Sequence, residues 1–167
     1  MDAVVVDTNV LAVANFQAEQ AGPDCVLACI AALETAKRQQ IVVIDSRAHI
    51  FSEYFRYASR SGQPGLGDAF IKWLWNNQAY ATHCEQVDLT PNSCDEGDFQ
   101  EFPDDRDLDG FDRSDRKFVA VAIGSKHDPK VLNATDTDWW NFRAALERHG
   151  VIVNFLCLDL VLPKYHP

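Results

Sequence analysis

The chain reads as an α/β protein, with a central, mostly parallel sheet of about five strands and helices on both faces. Three observations predict it. Short runs of β-branched apolar residues, such as Val4-Val5-Val6, Ile41-Val42-Val43-Ile44 and Val151-Ile152-Val153, have the length and continuity of strands buried on both sides. The segments between them place apolar residues at helical spacing, and strands that alternate with helices build a parallel sheet. Polar steps end the runs, and they are often acidic: Asp7-Thr8-Asn9 after the first and Asp45 after the second.

In order, Val4–Val6 is the first strand, and Val10, Leu11, Val13 and Ala14 give the inward face of a helix. Gly22-Pro23-Asp24 breaks the chain and opens a helix to about Arg38, with Leu27, Ile30, Ala31 and Leu33 in its apolar rhythm and Lys37 and Arg38 suited to its last turn. A second strand, Ile41–Asp45, precedes an amphipathic helix from about Arg47 to Arg60, whose stripe is Ile50, Phe51, Tyr54, Phe55 and Ala58. Glu53 lies beside that stripe, with His49, Arg56 and Arg60 on its side. Ser61–Gly65 is a loop, and Asp68–Asn77 is a helix in which Trp73 and Trp75 are core residues by expectation. His83–Leu89 forms a third strand. Ser114–Ser125 is a helix facing inward through Phe118, Val119, Ala122 and Ile123, with Asp115 in its first turn. Lys130–Ala134 is a strand ended by Thr135-Asp136-Thr137-Asp138. Trp139–His149 is a helix with Trp140, Phe142, Ala145 and Leu146 inward, and Val151–Leu156 is the last strand.

The 167 residues suit one domain, spanning 1–167, with 91–112 as an acidic loop inserted in it. That loop holds Asp95, Glu96, Asp98, Glu101, Asp104, Asp105, Asp107, Asp109 and Asp112 against Arg106. Its Asp105–Gly110 stretch matches the opening of an EF-hand calcium loop, but the twelfth position is Arg116 rather than a bidentate Glu, and Pro103 stands where a helix should enter. An exposed acidic loop is the expectation. No apolar run approaches the ~18 residues of a membrane span, and the N-terminus lacks the pattern of a signal peptide, so the expected setting is the cytoplasm, with no membrane partner. The five cysteines form no C-x-x-C pair and lack zinc-ligand spacing, so reduced structural thiols are expected. A net charge of −10 argues against gripping nucleic acid by overall charge, though not against binding phosphate through metal ions.

Asp7 and Asp136 each follow a short apolar strand, which in a parallel sheet puts both at the carboxyl edge, where ligands bind in open α/β folds. Asp7 could equally cap the helix that follows. Acids brought together repel unless something neutralises them, and hard divalent cations with oxygen ligands are the usual remedy. Asp7-Thr8-Asn9, Glu53 in the helix after the second strand, Asp115 heading Asp-Arg-Lys-Phe-Val-Ala-Val-Ala, and Asp136 in Ala-Thr-Asp-Thr-Asp-Trp together resemble the acidic motifs of the PIN-domain family, in the family's order and over essentially the whole chain.

The resemblance implies a Rossmann-like sheet and a Mg2+- or Mn2+-dependent nuclease, most often an endoribonuclease whose metal-activated water leaves a 5′-phosphate and a 3′-hydroxyl. Many small bacterial members are toxins held inactive by an antitoxin partner, and the resemblance makes a homodimer plausible. On this chain it makes Asp7, Glu53, Asp115 and Asp136 the holders of one or two ions, with Asp112 and Asp138 as additional acids. Thr8, Asn9 and Thr135 would orient the carboxylates. Arg56, Arg60, Arg113, Arg116 and Lys117, with His49, would contact RNA phosphates. Two other readings compete: a PIN-like scaffold module without catalysis, and a phosphatase of the haloacid dehalogenase type. The latter needs a second Asp two residues after the first, where this chain has Asn9.

Overall fold

A computed structural model describes residues 1–93 and 97–164, so Cys94, Asp95 and Glu96 of the acidic loop lie outside the described residues. Five strands, β1 (Ala3–Val6), β2 (Ile41–Asp45), β3 (Cys84–Val87), β4 (Lys130–Asn133) and β5 (Val153–Phe155), form one sheet in the order β3-β2-β1-β4-β5. Every neighbouring pair is parallel. The helices are α1 (Thr8–Ala14), α2 (Pro23–Gln39), α3 (His49–Tyr54), α4 (Leu66–Asn77), α5 (Arg116–Gly124), α6 (Thr137–Asn141), α7 (Arg143–Arg148) and α8 (Leu158–Val161). This is the Rossmann-like α/β architecture that the alternating pattern predicts. Successive side chains of a strand point to opposite faces, and every residue of β1 and β2 is buried, so helices cover both faces of the sheet centre. No described helix is long and apolar enough to cross a membrane.

Several expected faces are rotated. In α2 the inward residues are Cys25, Val26, Cys29, Leu33 and Ala36, while Leu27 is 64% exposed. The leucines alone had set the wrong stripe; small thiol and alanine side chains let the helix lie close to its neighbours. The expected helix from Trp139 to His149 is two helices broken at Phe142, and Trp139, not Trp140, is the fully buried ring. Ile123 points outward at the end of α5, and the continuous Phe118–Ala122 run fills the space between β1, β2 and β4. Trp73 packs against the core, whereas Trp75 is 37% exposed.

The acidic loop is not simply exposed. Phe99, Phe102, Leu108 and Phe111 turn inward and are buried, with Phe111 edge-on to Trp139 at 5.0 Å. Three of its described acids are tied to the body: Arg116 to Asp98 at 3.1 Å, and Arg148 to Asp105 and Asp107 at 3.0 and 2.7 Å. Alternation of acids with aromatics makes the loop amphipathic despite its charge. The cysteine expectation is also corrected. Cys25 and Cys157 form a disulfide across a sequence separation of 132, and Cys29 and Cys84 are free and buried. A pairing between the head of α2 and the start of α8 leaves no trace in local spacing.

Asp45 ends β2 as Asp7 ends β1, yet its work is local. Its carboxylate is 2% exposed and accepts the backbone N–H groups of Arg47, His49 and Ile50 at 2.8–3.0 Å, which fastens the start of α3. Asp45→Ala leaves those donors unpaired in a buried turn and lowers unfolding free energy by about 2–3 kcal/mol, read from a urea denaturation curve with unchanged slope.

Candidate metal centre

The chain runs from β1 to β2 on one side and later returns to β4 on the other, so the strand order reverses at β1/β4. Crevices beyond the carboxyl ends of such strands are where ligands bind in open α/β sheets. Asp7 is the first residue past β1, and its N–H still pairs with the Leu132 carbonyl of β4 at 3.0 Å. Its carboxylate makes no side-chain cap bond to α1, so it is not spent on capping. Instead Asn9 Nδ2 donates to Asp7 Oδ2 at 3.0 Å and to Asn133 Oδ1 at 2.7 Å, while Asn9 Oδ1 accepts from the Ala134 N–H at 2.8 Å. One amide thereby joins the ends of β1 and β4 and orients the first acid.

Glu53 arrives from α3. The next residue, Tyr54, is fully buried and donates its hydroxyl to the Val6 carbonyl at 2.5 Å, which pins α3 against the end of β1. Glu53 then accepts from the Thr8 hydroxyl and from Lys117 Nζ, the latter at 2.8 Å. Asp115 comes from the single turn Arg113–Asp115 that leads into α5, and it too makes no side-chain cap bond. Asp112 caps that turn, its Oδ1 accepting from the Ser114 N–H and hydroxyl at 2.9 Å each. The two neighbouring acids are thus divided: Asp115 turns inward, and Asp112 lines the rim.

Carboxylate oxygens of Asp7, Glu53 and Asp115 lie within 4.8 Å of one another. They share a cavity of about 380 Å3 with Asp112, Thr135 and Asp136. Asp136 Oδ1 accepts the Asp138 N–H at the head of α6, and Asp138 itself is not among the residues lining the cavity. Burial pushes the Asp7 carboxyl up to about 8, and the charges of Asp136 and Glu53 add to it; the Trp139 indole N–H works the other way. Burial, then Asp7 and Asp136, pushes Asp115 up to about 9. Magnesium–oxygen bonds of about 2.1 Å let one ion bridge oxygens up to about 4.2 Å apart, so small side-chain movements close the gap. Hard oxygen donors, mutual repulsion and an open cavity all fit a divalent cation.

The basic residues divide sharply. Arg56 lines the cavity with Gln17, Gln20 and Tyr57. Arg60 lies over the rings of Phe55 and Trp75 at 5.2 and 4.9 Å, in an adjoining hollow that shares Gln17, Arg56 and Tyr57. Arg116 is turned away, held on Asp98 and over the Phe102 ring at 4.5 Å, so it serves the loop rather than a phosphate. Arg113 lies beside Gly97 and His49 beside Phe99, neither of them lining the cavity. Lys117 meets the acids themselves. Sequence patterns did not reveal Gln17, Gln20 and Tyr57, which come from turns with no motif, nor the Lys117–Glu53 pair across 64 positions.

Both carboxyls have folded values above the ordinary unfolded value of 3.8, so the folded state holds more protons between those limits. Without divalent ions, the contribution of these two groups to stability is therefore fully present below about pH 3.8 and is lost as pH rises through about 8–9. Thermal melts should show this decline, Asp7→Asn should flatten it, and Mg2+ or Mn2+ should raise Tm more at pH 8 than at pH 5. A hundredfold excess over Kd corresponds to about 2.7 kcal/mol. Comparisons of the chain with protein-family models, curated proteins and solved structures found no match, so the site is argued from its own geometry.

Proposed function

We propose that the protein is a metal-dependent endoribonuclease. The observation that carries this is the convergence of Asp7, Glu53 and Asp115, with oxygens within 4.8 Å, at the strand-order reversal, with Asp136 in the wall of the same cavity. Asp7, Glu53 and Asp115 would hold one Mg2+ or Mn2+, and Asp136, in the wall of the same cavity, would help to hold it or a second ion. When bound, such ions supply Lewis-acid charge at a phosphodiester and lower the pKa of a water nucleophile. The choice of RNA rests on the resemblance of the four acidic motifs to PIN-domain nucleases.

The chain's own residues prepare that chemistry. Asn9 and Thr8 hold the Asp7 and Glu53 carboxylates, so little reorganisation remains when a cation enters. Lys117 neutralises part of the acidic charge and keeps Glu53 directed inward. Arg56 and, further along, Arg60 offer cations to a phosphate backbone on a molecule that is otherwise strongly acidic. Asn9 also weighs against the phosphatase reading: it donates to Asp7 and Asn133, which an ionised aspartate cannot do. The reading places the protein in the cytoplasm, with an inhibitory antitoxin-like protein or a second copy as further partners; exposed Phe16, Leu27 and Tyr80 are apolar surface available to either.

Single-stranded RNA should be cleaved only with Mg2+ or Mn2+ present. Asp7→Asn and Asp115→Asn should each lower the rate by at least about 100-fold while leaving the circular-dichroism spectrum intact. Full activity of both variants, or activity in excess EDTA, would sink the proposal.

The arginines give a second contrast. Arg56→Glu should raise KM about tenfold with stability near wild type, because it reverses one phosphate contact. Arg116→Glu should instead destabilise by about 2–4 kcal/mol, since it places a carboxylate against Asp98 in a half-buried site. Equal effects of the two on KM would contradict this division.

A further inference from the structure

On the far side of α2 from any role in the acidic site, three sulfurs converge. Cys25, Cys29 and Cys157 are 8%, 0% and 7% exposed, and their Sγ atoms all lie within 4.8 Å of one another. A disulfide uses Cys25 and Cys157 and leaves Cys29 as a third thiol against it. We propose that, when this disulfide is reduced, Cys25, Cys29 and Cys157 form a three-thiolate site for one Zn2+ ion. The proposal stands apart from the nuclease reading and needs only a reducing environment.

The geometry suits it. Zinc–sulfur bonds of about 2.3 Å place tetrahedral sulfurs about 3.8 Å apart. Cys29 Sγ is already within 4.8 Å of both other sulfurs, and the Cys25 and Cys157 sulfurs, bonded in the disulfide, would move apart on reduction. Cys25 and Cys29 lie one turn apart on α2, on the same buried face, and Cys157 comes from the segment just before α8. A cavity of about 310 Å3, whose lining includes Asp24, Cys25, Leu156, Cys157, Leu158 and Asp159, adjoins two of the three sulfurs and would give an entry path.

Charge is accommodated as well. Three thiolates around Zn2+ leave one net negative charge, and Cys25 is the third residue of a 17-residue helix whose amino end carries partial positive charge.

The chemistry balances simply. A dithiol reductant gives two electrons and two protons to the Cys25–Cys157 bond, yielding two thiols and its own disulfide. Three S–H protons then leave to solvent as three sulfur–zinc bonds form. Either linkage fastens α8 to the head of α2, so the ion would replace the disulfide as the clamp.

Cobalt(II) tests this directly. The full chain, reduced with a phosphine under anaerobic conditions, is titrated with Co2+. The expected result is an intense near-ultraviolet sulfur-to-cobalt band saturating at one equivalent and bleached by Zn2+. Carboxylate-bound cobalt gives no such band, and Asp7→Asn should leave it unchanged. Cys29→Ser should weaken Co2+ binding read at this band at least tenfold, while Cys84→Ser should not. Absence of the band in the reduced wild-type chain overturns the proposal whatever the variants do. Equal binding by Cys29→Ser, or equal loss in Cys84→Ser, overturns it as well.

Discussion

Burial of the acids beyond β1, to which their mutual repulsion adds, is the constraint on which the rest of the architecture turns. Asp7 and Asp115 are buried, Glu53 is close to both, and Asp136 adds its charge across the cavity. Left in water, such groups would separate. The fold keeps them together because each is attached to an element held in place by other forces: a central strand, a helix tied to that strand, and a turn leading into the helix that covers it. A bound cation would offset the cost of burying and crowding these carboxylates, so the feature that lowers stability would favour such a ligand.

The restraints are short and mostly buried. Tyr54 bonds to the Val6 carbonyl, and Asn9 bridges Asp7, Asn133 and Ala134, so the ends of β1 and β4 and the start of the site move as one unit. Asn15 and Asp68 perform a similar service behind it: Asp68 accepts from the Ser59, Gly65 and Asn15 nitrogens, locking α1 against α4. Gly67 permits that contact, because a Cβ there would stand 2.6 Å from the Leu11 carbonyl oxygen. The acidic loop follows the same logic at the surface. Buried aromatics seat it, Arg116 pairs with Asp98, and Arg148 pairs with Asp105 and Asp107; hydrogen bonds from His149 and the Asp107 N–H hold the Asp105 carboxyl down to about 2.

A protein with net charge −10 has little long-range attraction for a polyanion. Under the proposed function local arrangement would have to supply it, and the arrangement is sparse: Arg56 at the cavity and Arg60 in the hollow beside it. Two other cations near Asp115 in sequence are engaged within the protein, Arg116 in the loop and Lys117 at Glu53. Positive charge therefore lies along one side of the site, continuous with the exposed Tyr57 ring.

Periodicity along the chain was enough to determine the strands, their parallel alternation with helices, and which acids follow strand ends, because these depend on local pattern and on the few ways a parallel sheet can be connected. It also put Asp7 and Asp136 at strand ends, the motif resemblance added Glu53 and Asp115, and all four line one cavity. Distance-dependent facts were decided only by tertiary structure. Which of Asp112 and Asp115 turns inward depends on a single turn; whether Arg116 faces solvent or Asp98 depends on how the acidic loop folds back; the pairing of Cys25 with Cys157 depends on chain ends meeting across 132 positions. Leu27 and Trp140 marked the wrong helical faces for the same reason. A side chain's type states what it can bind, but only packing decides what stands next to it.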